Sequence, residues 1–278
     1  VGTALANLVG RNDGFIFALC LLITIIFQIT SNFANDYGDG VKGTDAEDRI
    51  GPKRALQSGT LTENELKWGI GITAAVSILL TIVLLRYVFG WQQLPYFIVF
   101  LVLGIFSIWA AIKYTVGRSA YGYRGLGDVF VFLFFGLLAV LGTKFLYVQN
   151  IAWMDIFPAV AIGSLCVGVL NLNNLRDINS DANHGKNTLV VKLGYDRGRI
   201  YHGFLLTISF VCFLMYSIFR FDRDWTFLFL LPYVIICIHL VKLMRTHEPS
   251  RLDPELKKLA LSTFVLSLLF YFAVNYFL

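Results

Sequence analysis

The chain has 278 residues, 57% of them hydrophobic and only 15% charged, with a formal net charge of +5 and a mean hydropathy of +0.68. Soluble domains carry roughly 25% charged residues, so too little polar sequence is present to cover a water-soluble globule of this size. Apolar runs of about 20 residues, long enough to cross a ~30 Å hydrocarbon core as helices, predict an all-α polytopic membrane protein. The positive charge then bears on membrane orientation, and no nucleic-acid partner is expected.

Nine apolar segments follow in chain order, at about 1–9, 14–36, 63–85, 93–113, 127–148, 154–173, 200–219, 225–243 and 258–277. The first is too short to span. With Val1 in place of a start methionine, it reads as the remainder of a helix that begins before this sequence, and no basic stretch precedes it as a signal peptide would require. Cys20, Cys166, Cys212 and Cys237 lie singly in apolar runs and are expected to be packed residues without a redox or metal role. His184, His202, His239 and His247 show no metal-binding spacing.

The second segment runs into Asn32-Phe-Ala-Asn35-Asp36-Tyr37-Gly38-Asp39. If the helix continues, Asn32, Asn35, Asp36 and Asp39 share one face. A long connection follows at about 37–62, in which Ile50-Gly51-Pro52-Lys53-Arg54 marks a turn carrying two cations suited to diphosphate oxygens. Between the fourth and fifth segments, 114–126 carries Tyr114, Tyr121 and Tyr123 among glycines, with Arg118 and Arg124. This stretch reads as a mobile cover with aromatic faces for a planar acceptor, or as an interfacial aromatic belt. Asp128 opens the fifth segment.

The sixth segment runs into Asn173-Asn174-Leu175-Arg176-Asp177-Ile178-Asn179-Ser180-Asp181. Asn173, Asp177 and Asp181 stand at i+4 steps, and Lys186 and Lys192 lie beyond. Asp36 and Asp177 are four helices apart, which hints at two four-helix halves. Shorter charged connections complete the pattern at 244–257.

If the segments alternate across the bilayer, one face takes 18 of the 23 lysines and arginines, leaving Arg11, Arg86, Lys144, Arg220 and Arg223. By the positive-inside rule that face is cytoplasmic. It also takes 14 of the 18 acids. Both acidic clusters sit at helix C-termini, where the macrodipole already disfavours a carboxylate, so a bound cation between them is expected. Carboxylate oxygens without thiols or imidazoles favour Mg²⁺ bridging to substrate phosphate. An ion-pathway transporter is the rival reading. Against it, the acids gather at one face, and no pair of broken helices marks mid-membrane. A CDP-alcohol phosphotransferase is excluded because its single DGxxAR…GxxxDxxxD run is absent.

At these residues the chain resembles the UbiA superfamily of intramembrane aromatic prenyltransferases. The likeness is carried by NDYGDGVKGTD, DRIGPKRALQSG, YTVGRSAYGYRGLGD and NNLRDINSDANHGKNTL. It implies a nine-helix bundle forming one domain over 1–278, with the first helix truncated. Its functional loops would lie at about 37–62, 114–126, 174–199 and 244–257 in a bacterial inner membrane, facing the cytoplasm.

By the same resemblance, Mg²⁺ would be held by Asn35, Asp36, Asp39, Asp45, Asp177 and Asp181. Gly43 stands where the longer first motif has its last Asp, and Asp45 is assigned that place. Substrate contacts are expected from Asn32, Asn35, Lys53, Arg54, Tyr114, Arg118, Tyr123, Asn173, Asn174 and Lys186. The strings are most similar to the branch that transfers a polyprenyl group from polyprenyl diphosphate to 1,4-dihydroxy-2-naphthoate. In that branch CO₂ and diphosphate are lost on the way to demethylmenaquinone in menaquinone biosynthesis. 4-Hydroxybenzoate is the alternative acceptor.

Overall fold

The computed structural model describes residues 1–44, 50–221 and 224–276, and among them every regular element is helical. A short α1 (Gly2–Asn7) precedes eight helices long and apolar enough to cross a membrane. These are α2 (Gly14–Val41), α3 (Glu63–Phe89), α4 (Leu94–Lys113), α5 (Gly127–Val148), α6 (Trp153–Arg176), α7 (Tyr195–Arg220), α8 (Thr226–Arg245) and α9 (Pro249–Asn275). All nine expected segments are present as helices, and the chain is a multi-pass membrane protein.

Several boundaries move, for one reason. The polar clusters continue the helices that precede them: a helix carried past the lipid boundary keeps its backbone paired there and moves its unpaired terminal carbonyls beyond it. α2 reaches Val41, so the expected loop at 37–62 is helical in its first five positions. The expected 174–199 loop is mostly helical too, with turns at Ile178–Asn183 and Leu189–Leu193. The i+4 series Asn173, Asp177, Asp181 is interrupted, since Asp177 is the C-cap of α6 and a new turn starts after it. The thiols are all free, and Cys237 is exposed on the apolar surface where core packing was expected.

The chain divides into two compact units of unequal size, where equal halves were expected. One is Asp13–Gly125 with Ser180–Asn187, and the other is Val1–Asn12, Leu126–Asn179 and Thr188–Leu278. In the three-span unit, Asp13 caps α2 by accepting from the Phe15 and Ile16 amides and receives the Tyr87 hydroxyl at 3.0 Å. A capping box between Thr62 and Glu65 starts α3. Gly38 brings α2 against the chain leaving α4: a Cβ there would stand 2.5 Å from Thr115 Oγ1. That hydroxyl, fully buried, donates to the Ala34 carbonyl at 2.8 Å. The contact fixes the polar end of α2.

In the five-span unit, Phe213 of α7, Phe229 of α8 and Phe270 of α9 form a buried aromatic triangle with centroids 5.2–5.5 Å apart, a favoured ring spacing. A polar chain crosses the same helices. Asn171 Oδ1 faces His202 Nδ1 at 3.0 Å, His202 Nε2 faces His239 Nε2 at 3.1 Å, and His239 Nδ1 meets Glu255 at 3.0 Å. Lys242 and Lys258 close it on the second Glu255 oxygen, each at 2.7 Å. Lys144 and Asp155 pair in a buried contact elsewhere in this unit.

From Phe132 to Gly142, α5 widens into a π-helical stretch, and here Gly136 lies on Gly163 of α6. A Cβ on Gly136 would stand 2.6 Å from Gly163 Cα and 2.9 Å from the Ala159 carbonyl. Close approach at small residues is how membrane helices gain packing that lipid does not already supply. Gly136→Val should therefore lower the melting temperature of the detergent-purified protein by a margin equivalent to about 2 kcal/mol or more. Gly71→Val, where a Cβ meets nothing within 4 Å, should leave it unchanged.

Candidate active site

The site begins at the last turns of α2. Asn35 is half-buried, while Asp36 and Asp39 are buried. Asn32, on the same face, is exposed and accepts from Gln28 Nε2 at 3.1 Å, so it stands apart from the acids. Asp36 accepts the Ala55 and Leu56 amides at 3.0 and 3.2 Å, one on each oxygen. It thereby anchors the turn that presents Arg54, whose guanidinium donates to the Asn35 carbonyl at 2.6 Å and to Asp39 Oδ2 at 3.0 Å. Lys53 is exposed beside it.

Asp39 is the hub of this unit. At 2% exposure it accepts from the Tyr123 hydroxyl at 2.8 Å through Oδ1. The same hydroxyl lies 2.5 Å from Thr44 Oγ1. Lys186 places its ammonium 3.7 Å from Asp39 Oδ2 and 3.6 Å from Asp181 Oδ1, so one cation serves an acid from each sequence cluster. Asn187 donates its amide to the Tyr123 carbonyl at 3.2 Å and Lys186 its own to Asp181 O at 2.8 Å, which ties this segment to the 114–126 connection. Lys42 lies 3.8 Å above the Tyr123 ring and donates to the Thr115 carbonyl at 2.6 Å. Partial burial holds the Lys42 ammonium below the ordinary lysine range; Asp39 opposes this and Lys186 adds to it.

Of the three loop tyrosines, Tyr123 is the one that meets Asp39. Tyr114 and Tyr121 pack edge to face at 5.4 Å. Tyr121 donates to the Ala110 carbonyl at 2.8 Å, and burial, with a smaller contribution from Tyr114, pushes its phenol above the usual range. Arg118 is exposed.

In the other unit, Asp177 is 5% exposed. Arg176 grips both its oxygens, Nε to Oδ1 at 2.8 Å and Nη2 to Oδ2 at 2.7 Å. The same guanidinium donates to Asn173 Oδ1 at 2.9 Å and to Asp253 Oδ1 at 2.7 Å. Asn174 is buried. Asp45 lies outside the described residues.

Sequence reading did not single out Arg176, Lys42, Thr115 or Asp253. Arg176 stood in view beside Asp177, but only its burial separates it from the many basic residues on that face.

Among the described residues, no three His, Cys, Asp or Glu side chains stand in position to hold a metal ion. The donor chemistry nevertheless fits a hard cation of the Mg²⁺ type, which takes one or two carboxylates and completes its shell with water and phosphate oxygens. Asp39 and Asp181 are such a pair, buried and sharing a cation. Acids and cations held together at the end of membrane helices suit an enzyme that handles a strongly anionic substrate.

Residues 1–268 match the UbiA prenyltransferase family; the chain belongs to this family and is a prenyltransferase. It is 44% identical over 266 residues to the 1,4-dihydroxy-2-naphthoate octaprenyltransferase of Haemophilus influenzae, covering 95% of this chain and 85% of that one. It is also 44% identical over 270 residues to the Escherichia coli protein of the same description, covering 97% and 87%. The Mycobacterium tuberculosis protein so described is 39% identical over 198 residues, 71% of this chain and 65% of that one. No solved structure matches the chain.

Asp36→Ala removes both acceptors of the 55–56 amides, each worth about 1 kcal/mol. Limited proteolysis should then cut between Gly51 and Leu61 several-fold faster than in the unaltered protein, and cleavage elsewhere should keep its rate.

Proposed function

We propose that this prenyltransferase moves a polyprenyl group from its diphosphate to 1,4-dihydroxy-2-naphthoate with Mg²⁺, releasing diphosphate and CO₂. The observation that carries the reading is Lys186 standing between Asp39 and Asp181, which joins the two acidic motifs around one centre of charge. The relatives' shared description as 1,4-dihydroxy-2-naphthoate octaprenyltransferases supports the acceptor.

Asn35, Asp36, Asp39, Asp177 and Asp181 would hold Mg²⁺, which when bound neutralises the diphosphate as it departs. Arg54, Lys186 and Lys53 bind the remaining phosphate oxygens; Arg54 and Lys186 are already positioned by their contacts with Asp39, so little ordering is lost when substrate arrives. Tyr123 presents its ring beside Lys42 and holds Asp39 through its hydroxyl, fixing the carboxylate's orientation.

The allylic C–O bond breaks with its electron pair leaving on the diphosphate. The ring carbon bearing the acceptor's carboxylate forms the new C–C bond. Loss of that carboxylate as CO₂ returns its electron pair to the ring, giving the quinol form of demethylmenaquinone without a protein base. The isoprenoid chain lies against the apolar helix surface. The charge bias of the connections supports an active face on the cytoplasmic side of a bacterial inner membrane.

Asp39→Asn and Asp177→Asn should each reduce prenyl transfer by at least about a hundredfold while the protein still inserts and purifies normally. The assay supplies purified protein with Mg²⁺, a polyprenyl diphosphate and either 1,4-dihydroxy-2-naphthoate or 4-hydroxybenzoate, with products identified by mass spectrometry. Product from 4-hydroxybenzoate alone would refute the acceptor, and full activity in either variant would refute the two-motif site.

A further inference from the structure

Asp177 does not wait as an open ligand. Both of its oxygens accept from Arg176 in a two-pronged contact at 2.7 and 2.8 Å, and Arg176 is 2% exposed. Arginine cannot release a carboxylate by losing its proton, because it stays charged at any ordinary pH. A metal ion taking a carboxylate position that the fork now occupies must therefore displace one of the two N–H donors. The remaining contacts show where the guanidinium would then rest. Nη1 already reaches Asp253 at 2.7 Å, and Nη2 reaches Asn173 Oδ1 at 2.9 Å. Asp253 has a half-exposed side chain and lies near the start of α9. It can keep hold of the arginine after Asp177 has let go.

We propose that Arg176 is a resident counter-cation that competes with the metal for Asp177, and that Asp253 sets how readily it yields. Before substrate arrives, the pair spares the protein a buried, unpaired carboxylate, which is costly in a lipid-embedded site. On loading, the guanidinium shifts toward Asp253 and Asn173, and its freed N–H groups are forked donors of the kind that suit phosphate oxygens. Arg176 is in this sense a positioning residue. The inference rests on the reading of Asp177 as a metal ligand.

The test uses the full chain in detergent and follows binding of Mn²⁺, as a spectroscopic stand-in for Mg²⁺, by paramagnetic resonance without prenyl substrate. Arg176→Lys keeps the charge but not the fork, and should bind Mn²⁺ about five-fold tighter or more. Arg176→Gln should bind tighter still. Asp253→Asn leaves Asp177 as the guanidinium's only carboxylate and should weaken binding by a similar factor. Prenyl transfer should fall in both Arg176 variants although metal affinity rises, a split that a merely structural role would not produce. If Arg176→Gln fails to fold, judged by its melting curve, Arg176→Lys and Asp253→Asn decide the matter. Unchanged or weaker Mn²⁺ binding in Arg176→Lys, with binding lost in Asp177→Asn, would overturn the competition and leave the ligand reading intact. Unchanged binding in Asp253→Asn would overturn its assigned part. Undiminished binding in Asp177→Asn would overturn the ligand reading itself and the proposal with it.

Discussion

A carboxylate at the end of a helix embedded in lipid needs a cation or a set of N–H groups close by. The desolvation cost of an unpaired buried charge runs to several kcal/mol, and at a helix C-terminus the macrodipole adds to it. The fold is arranged around meeting this demand. Asp39 has Arg54 and Lys186, Asp177 has Arg176, Asp155 has Lys144, and Glu255 has Lys242 and Lys258. Asp36 is served by two backbone amides.

The same pairing prepares the chemistry. On the proposed function, a cation held beside a carboxylate is also held where an anionic substrate and its metal would sit, so groups that pair the acids would become binding groups when the metal takes those acids over. Lys186 illustrates the point. Its ammonium stands at 3.6–3.7 Å from two acids, long for a hydrogen bond and short for a Coulombic contact. That geometry balances both acids without committing to either. Arg176, by contrast, makes a two-pronged contact with Asp177 while also holding Asp253 and Asn173.

The rest of the molecule holds these ends still. Glycine contacts let helices approach at backbone distance, as at Gly38 against Thr115 and Gly136 against Gly163. Aromatic packing and the Asn171–His202–His239–Glu255 chain fasten the helices of the larger unit. Outward, the surface is apolar, and the exposed indoles of Trp68, Trp91 and Trp153 lie near span ends, where amphipathic rings favour the membrane interface.

Much of this was legible in the chain alone. Hydropathy determined the eight spans, because in lipid only a helix of about 20 apolar residues satisfies its own backbone. That Asn32, Asn35, Asp36 and Asp39 would share a face if α2 continued followed from their i, i+3, i+4 and i+7 spacing, and the four long strings carried the family. That α2 does continue, to Val41, did not follow, since a loop was expected from about 37. Helix ends were less legible: Asp177 looked like the middle of an i+4 series and is a C-cap. Partners were not legible at all. Nothing in the order of residues distinguishes Arg54 and Lys186, which meet Asp39, from Lys53 and Arg118, which are exposed. Nor does it set Tyr123 on an acid while Tyr114 and Tyr121 pack on each other. The sequence by itself determined which residues are apolar enough to enter lipid and which acids must lie at their ends. Only the tertiary structure decided which cation answers each acid, because that depends on distances between segments far apart in the chain.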